Sequence, residues 1–162
     1  MIPENIDVKK IMGIIVWILA FQTIGYFLGT MTQVNIATWY QTLHKSSLTP
    51  PAIVFPIVWS ILYAMIAISG WYLWQHRHHL KAKTALGFYS AQMVLNWAWS
   101  PLFFNFHLIA ASFYCIILIA FLTLITIILT RNNFKLSSMM LMPYFIWLIF
   151  ASYLNGVLWM LN

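Results

Sequence analysis

The sequence predicts an all-α membrane protein: a bundle of five transmembrane helices with a long first loop closing an intramembrane pocket. Three observations predict the bundle. Hydrophobic residues make up 63% of the chain and charged residues 6%. A soluble domain carries about 25% charged residues, so the charges here are too few to solvate a globular surface. The apolar residues fall into five continuous runs, 11–31, 53–74, 85–104, 108–129 and 136–161, each close to the ~20 residues that cross a ~30 Å hydrocarbon core as a helix. The two carboxylates, Glu4 and Asp7, both precede the first run. Continuous rather than alternating runs argue against the strands of a membrane barrel. By length the chain is one domain, 1–162.

Each element follows from its own stretch of sequence. Run 11–31 is too long for a signal peptide, lacks a small-residue cleavage signal, and leads into further spans. Residues 32–52 form the one long loop. It carries Trp39, Tyr40, Leu43 and Leu48, too apolar for a flexible linker, and loops of this length are usually functional or lid-like. Pro50 and Pro51 end it and suit the first turn of run 53–74. The polar, basic segment 75–84 leads to run 85–104. Only Asn105 to His107 separate that run from 108–129, so the two form a tight antiparallel pair. A short polar turn, 130–135, leads into 136–161. Alternating spans put Lys9, Lys10, Arg77, Lys81, Lys83, Arg131 and Lys135 on one side and Lys45 alone on the other. Insertion as in a bacterial cell membrane then places the N-terminus in the cytoplasm and the long loop outside.

The composition excludes several chemistries. No Asp or Glu follows Asp7, which removes paired-carboxylate hydrolysis, carboxylate sites for Ca or Mg and acidic proton relays. Cys115 is the one cysteine, so the chain has no internal disulfide and no CxxC motif; it reads as a small buried apolar residue. His76, Arg77, His78 and His79 look like a metal cluster at first sight. With no carboxylate or thiol beside them they read as a juxtamembrane basic patch facing anionic lipid, and no metal site is expected. The cations are dispersed between apolar runs, which argues against nucleic acid. No obligatory cofactor and no conventional catalytic constellation is legible.

The interior carries the functional signal. Of the nine Trp, Trp17, Trp71, Trp74 and Trp159 suit interfacial anchors. Trp59, Trp97, Trp99 and Trp147 instead share segments with polar residues. Gln92, Asn96, Trp99 and Phe103 recur at helical spacing on one face, as do Tyr144, Trp147, Ala151 and Leu154 with Asn155 beside them; Trp59 and Tyr63 are one turn apart. Amides in hydrocarbon must find partners, so Gln92, Asn96 and Asn155 face the bundle interior, as interhelical bonds or as part of a pocket. Converging rings with a small Ala between them make a wall suited to a flat apolar ligand. Gly25 with Gly29, and Gly87 with Ala91, permit close helix contact, within the chain or between copies.

Several of these segments together resemble the TspO family of tryptophan-rich sensory proteins, which includes the mitochondrial translocator protein. They are Trp39-Tyr40, Lys45, Thr49-Pro50-Pro51, Phe55, Val58-Trp59, Leu62-Tyr63, Gln92, Leu95-Asn96-Trp97-Ala98-Trp99, Phe103-Phe104, Pro143-Tyr144, Trp147, Phe150-Ala151 and Leu154-Asn155. The likeness covers residues 10–162. It departs locally: the loop motif usually reads Lys-Pro-x-Trp-x-Pro-Pro where this chain has Lys45-Ser46-Ser47-Leu48-Thr49-Pro50-Pro51, and Pro56 stands one place earlier than in the common Gly-Pro-Val-Trp. No basic residue follows Tyr153, so the steroid motif of animal members is absent there.

The resemblance implies five transmembrane helices, a homodimer, and a pocket for tetrapyrroles such as protoporphyrin IX and haem, with sterols in some members. It places tetrapyrrole-contacting aromatics at Tyr40, Trp59 and Trp147, and pocket positions at Trp97, Trp99, Ala151 and Leu154. A planar macrocycle would stack on these rings with Tyr63, Asn96 and Tyr144 nearby, while His44 and Lys45 at the pocket mouth would meet its carboxylates. The expected function is tetrapyrrole binding by a membrane sensor. The alternatives are light-dependent porphyrin degradation, with Trp59 and Trp147 as the candidate reactive residues, and transport of porphyrin or sterol.

Overall fold

The computed structural model describes residues 8–162; Glu4 and Asp7 lie outside the described residues. Every regular element among the described residues is helical. Helix α1 runs Val8–Ala37, α2 Trp39–Thr42, α3 Val54–Gln75, α4 Leu80–Ser100, α5 Ile109–Thr130 and α6 Lys135–Leu161. A π-helical turn, Pro101–Asn105, continues α4. Helices α1, α3, α5 and α6 are long and apolar enough to cross a membrane. With 21 residues α4 is long enough too, but Lys81, Lys83, Gln92 and Asn96 make it less apolar than the other four.

The boundaries move where polar residues satisfy themselves inside a helix. α1 continues past its expected end at Met31 to Ala37. The hydroxyls of Thr30, Thr32 and Thr38 donate back to Phe27, Leu28 and Val34 carbonyls of the preceding turn, so this polar stretch stays helical. Likewise α4 begins at Leu80 rather than at 85, with the Thr84 hydroxyl donating to the Leu80 carbonyl. Pro50 and Pro51 precede the helix instead of opening it: Val54 N–H closes a turn on the Pro51 carbonyl, and Pro56 is the proline tolerated within the first turns of α3.

Helices α3, α4, α5 and α6 close into a ring in which each packs on two others, and α1 docks outside it, mainly against α3. Side-chain contacts fix the directions. Phe55 meets Trp147, Trp59 meets Tyr144, and Ser69 bonds Ser137, so α3 and α6 run antiparallel. Trp99 and Leu95 meet Ser112 and Cys115 in the same opposed order, giving the antiparallel α4–α5 pair that the short connection requires. His107, in that connection, has a φ of 55°. This left-handed conformation is uncommon for a residue with a Cβ, and here the ring of Trp39 stacks on the imidazole at 4.0 Å.

Glycines mark the close approaches. A Cβ on Gly13 would meet the Trp71 ring, one on Gly25 the Tyr63 ring, and one on Gly70 both Tyr89 and Trp17. Gly29 and Gly87 face open space. Gly25 therefore serves contact within the chain, and Gly29 does not. Trp17 and Trp71 depart from the expected anchor role: their rings lie 6.0 Å apart between α1 and α3, where they fill the seam. Trp74 fits the interfacial expectation, being exposed with Arg77 over its ring at 4.8 Å.

Candidate functional site

The centre of the ring is a hydrogen-bonded relay across three helices. Tyr144 of α6 is fully buried; its hydroxyl accepts from Asn96 Nδ2 at 2.8 Å and donates to Gln92 Oε1 at 3.0 Å. Asn96 Oδ1 accepts from the Tyr63 hydroxyl of α3 at 3.0 Å. Gln92 and Asn96 stand one turn apart on α4, which is why both amides reach the same phenol. Toward the basic end, Tyr89 donates to the Ile66 carbonyl at 2.9 Å, and the Ser69 and Ser137 hydroxyls bond at 2.7 Å. Such bonds within a membrane contribute about 1 kcal/mol each, and they fix which helix faces meet.

The aromatic residues split into neighbouring groups. Trp59 packs on Tyr63 at 5.5 Å and on Tyr144 at 6.3 Å. Trp147 packs on Phe55 at 6.1 Å and Phe150 at 5.6 Å. Trp59 and Trp147 thus sit at successive levels of one α3–α6 seam, each among its own rings. Trp97 turns toward α1 and meets Phe21 edge-on at 5.7 Å. Trp99 turns toward α5: it stacks on Phe103 at 5.2 Å and its indole donates to the Ser112 carbonyl at 3.0 Å. Trp97 and Trp99 therefore leave α4 in different directions. Ala151 packs at the edge of the core and Leu154 is buried.

Four buried polar atoms have no hydrogen-bond partner among the described residues: Gln92 Nε2, Trp97 Nε1, Trp147 Nε1 and Asn155 Oδ1. Leaving a buried donor or acceptor unmade costs roughly 1–3 kcal/mol. Three of the four are N–H donors; Gln92 is bonded to Tyr144 through its Oε1, and Trp147 lies one turn after Tyr144 on α6. The interior thus offers donors to an acceptor-bearing ligand, with aromatic faces beside them. Asn155 keeps one contact, donating through Nδ2 to the Ser112 hydroxyl at 3.3 Å.

The first loop crosses the end of the ring away from the basic residues. Trp39 and Tyr40 pack on Phe103, and Tyr40 also on Phe104, all beside the α4–α5 connection. At the other side Ser46 bonds the Tyr153 hydroxyl at 3.1 Å. His44 N–H donates to Asn162 Oδ1 at 2.9 Å and its carbonyl accepts from Asn162 Nδ2 at 3.0 Å. Lys45 lies over the Tyr40 ring at 4.7 Å and donates to the Gln41 carbonyl. Burial pushes the Tyr40 phenol above its ordinary pKa, so it stays a neutral donor at any physiological pH. His44 and Lys45 therefore stand in the covering segment, with Tyr40 beneath.

Open grooves among the described residues lie elsewhere. One of about 700 Å³ runs between α5 and α6 past Ile127, Arg131, Met139 and Pro143. Another of about 380 Å³ opens between α1 and α3 at the basic end. Neither is lined by Tyr40, Trp59, Trp147 or the other expected site residues; in this conformation each of these three rings packs among its own aromatic neighbours. Phe55, Phe21 and Asn162 were not among the expected residues. Phe55 lies one turn before Trp59 on the same face, so helical spacing would have found it, whereas nothing in the local sequence marks Asn162 as the clasp on the loop.

Comparison with known proteins shows the family. The TspO/MBR family model matches residues 16–160. The chain is 32% identical over 153 residues to the tryptophan-rich protein TspO of Archaeoglobus fulgidus, covering 94% of this chain and 99% of that one. It is 33% identical over 149 residues to the tryptophan-rich protein TspO of Bacillus cereus, covering 90% and 95%. It is 32% identical over 123 residues to the human translocator protein, covering 75% and 73%. With membrane-spanning helices, a tryptophan-rich interior and a family match over nearly its whole length, the chain is an integral membrane protein that belongs to the TspO/MBR family.

Proposed function

We propose that the protein is a five-span membrane sensor that binds tetrapyrrole between α3, α4 and α6, beneath the first loop. The observation that carries this reading is the pair of unpartnered buried donors, Gln92 Nε2 and Trp147 Nε1, within an aromatic interior. A flat macrocycle bearing carboxylates or ring nitrogens supplies both an extended face for stacking and acceptors for such donors. Stacking on aromatic rings is worth roughly 1–3 kcal/mol per ring in the analogous case of bases. Entry at the loop end requires Phe55 to part from Trp147, and the loop's attachments to α6 through Ser46 and His44 are the contacts that would open first. Lys45 and His44 then face the propionates.

The rest of the reading follows from the same arrangement. α4 is the fifth span; its two amides are spent on Tyr144 and Tyr63 rather than on lipid. The seven cations at the start of α1, in the connections after α3 and α5 and in the first turns of α4 and α6 support an N-terminus in the cytoplasm of a bacterial-type membrane; a reporter fused to the C-terminus is then active outside and silent inside. The open faces at Gly29 and at Gly87 support a homodimer.

Titration of purified protein with protoporphyrin IX and with haem, read by Trp fluorescence, tests the binding. Trp147→Phe keeps the fold but weakens porphyrin binding about tenfold, from one donor and part of a stacking face. Trp71→Phe, on the far side of α3, leaves affinity unchanged. Equal affinity for wild type and a Trp59→Phe, Trp147→Phe double variant overturns the assignment. Bound porphyrin that loses its absorbance only under illumination, with the loss abolished in Trp147→Phe, selects light-dependent degradation over sensing.

A further inference from the structure

We propose that the cleft between α1 and α3 at the basic end holds one anionic phospholipid of the adjoining leaflet. The cleft is open on one side and has a volume of about 380 Å³, room for part of a lipid. Its wall is graded in the way a lipid is graded. The rim carries Lys10, Gln75 and His76; one turn deeper on α1 stands Ile14, and about two turns deeper on α3 stands Ile68. Trp71 and Leu136 complete the apolar part. A headgroup at the rim would therefore meet a cation and hydrogen-bonding groups, and an acyl chain would lie on Ile14, Ile68 and Trp71.

Charge selects the lipid class. Lys9, Lys10, Arg77, Lys81, Lys83, Arg131 and Lys135 all belong to this end, while the whole sequence has two carboxylates, Glu4 and Asp7. Seven cations at this end against two carboxylates in the whole sequence favour an anionic headgroup over a zwitterionic one on this face. The rim is also ordered. His76 Nδ1 donates to the Tyr72 carbonyl at 2.8 Å, and its ring rests against Tyr72 and Phe134. The cleft floor is built by the close approach of Gly13 to Trp71, so the shape is set by the helix seam. The larger α5–α6 groove has one cation too among the described residues, Arg131, at the same end; it serves as the comparison for attraction that does not depend on the cleft.

Native mass spectrometry of the purified protein with phosphatidylglycerol or phosphatidylcholine tests the site. The first phosphatidylglycerol should bind several-fold more tightly than phosphatidylcholine. A Lys10→Gln, His76→Gln double variant, which removes one cation and a hydrogen-bonding ring from the rim, should lose about fivefold in that affinity. Ile14→Trp, which fills the apolar wall without changing charge, should weaken it as well, and Arg131→Gln should not. Equal losses from Arg131→Gln and the double variant would mean diffuse attraction and overturn the cleft. No loss from Ile14→Trp in a variant of unchanged circular dichroism would overturn the acyl contact, and displacement of the lipid by millimolar glycerol phosphate would make it a site for a free anion instead. Porphyrin affinity is unaffected in all of these variants, so the two sites fail or stand separately.

Discussion

Helices α1 and α4 invert what their hydropathy suggests. α1 is among the helices apolar enough for a membrane, yet of its 30 residues only Phe21 and Thr32 are buried. α4 is the least apolar of the long helices, yet it buries Ala82, Ala85, Tyr89, Gln92, Met93 and Asn96. The difference teaches what each measure records. Hydropathy counts affinity for lipid, and α1 turns most of its surface outward, with Ile15, Leu19, Phe27 and Val34 all exposed. Polar residues on α4 lower its hydropathy because they face the ring, where partners exist: Asn96 bonds tyrosines from two other helices, and Gln92 accepts from one of them. In a membrane the apolar residues do not distinguish inside from outside, so the polar and small ones must.

The largest expected effect lies where the two regions meet. Gly70 of α3 is buried, and a side chain there collides with Tyr89 of α4 and Trp17 of α1 at once. Gly70→Leu should push Tyr89 off the Ile66 carbonyl and part α1 from α3, destabilising by about 3 kcal/mol, the upper end for overpacking. Cys115 reports it: its thiol is half-buried, donating to the Leu95 carbonyl at 3.7 Å. Heating with a thiol-reactive dye should show labelling at a clearly lower temperature than in wild type. An unchanged labelling temperature would mean that the two helices do not bear on one another through this residue.

Asn96→Leu comes next and tests α4 alone. Taken from the sequence as simple glue, Asn96 is worth about 1 kcal/mol or less. The relay raises the expectation, because the change strips a partner from both Tyr63 and Tyr144. A loss of about 1–2 kcal/mol follows, against no measurable change for Phe27→Leu on the lipid face of α1. Equal losses from the two would erase the contrast between the helices.

These cases show how far the sequence carries. The span order, the antiparallel α4–α5 pair and the inward face of Gln92 and Asn96 are legible because length, loop size and the cost of an amide in hydrocarbon each allow one outcome. The helix ends are not, since Thr32 and Thr84 are polar in composition yet bond their own turns. Trp residues are least legible of all. Indole suits an interface, a helix seam or a ligand wall equally, and Trp17, Trp74 and Trp59 occupy different settings without a local mark to tell them apart. Their roles depend on neighbours from other helices, which spacing along one helix does not contain.

The smallest expected effect separates two glycines that the sequence pairs. Gly25 and Gly29 read as one motif, but the structure gives them different surroundings: a Cβ at Gly25 would come within 2.6 Å of the Tyr63 ring, while nothing lies within 4 Å of one at Gly29. Tyr63 holds Asn96, so displacement of its ring reaches the relay. Gly25→Ala should therefore destabilise by about 1 kcal/mol, the lower end for overpacking. Gly29→Ala should not destabilise the single chain; with no contact to disturb, the better helix propensity of Ala stabilises by about 1 kcal/mol at most. Dye labelling of Cys115 on heating distinguishes them. If Gly29→Ala instead shifts labelling only at high protein concentration, and cross-linking shows fewer dimers, then the open face at Gly29 is where a second copy packs, and the lipid-facing surface of α1 is smaller than its exposure suggests. If both substitutions destabilise equally at every concentration, α1 is held along its whole length and the contrast with α4 fails.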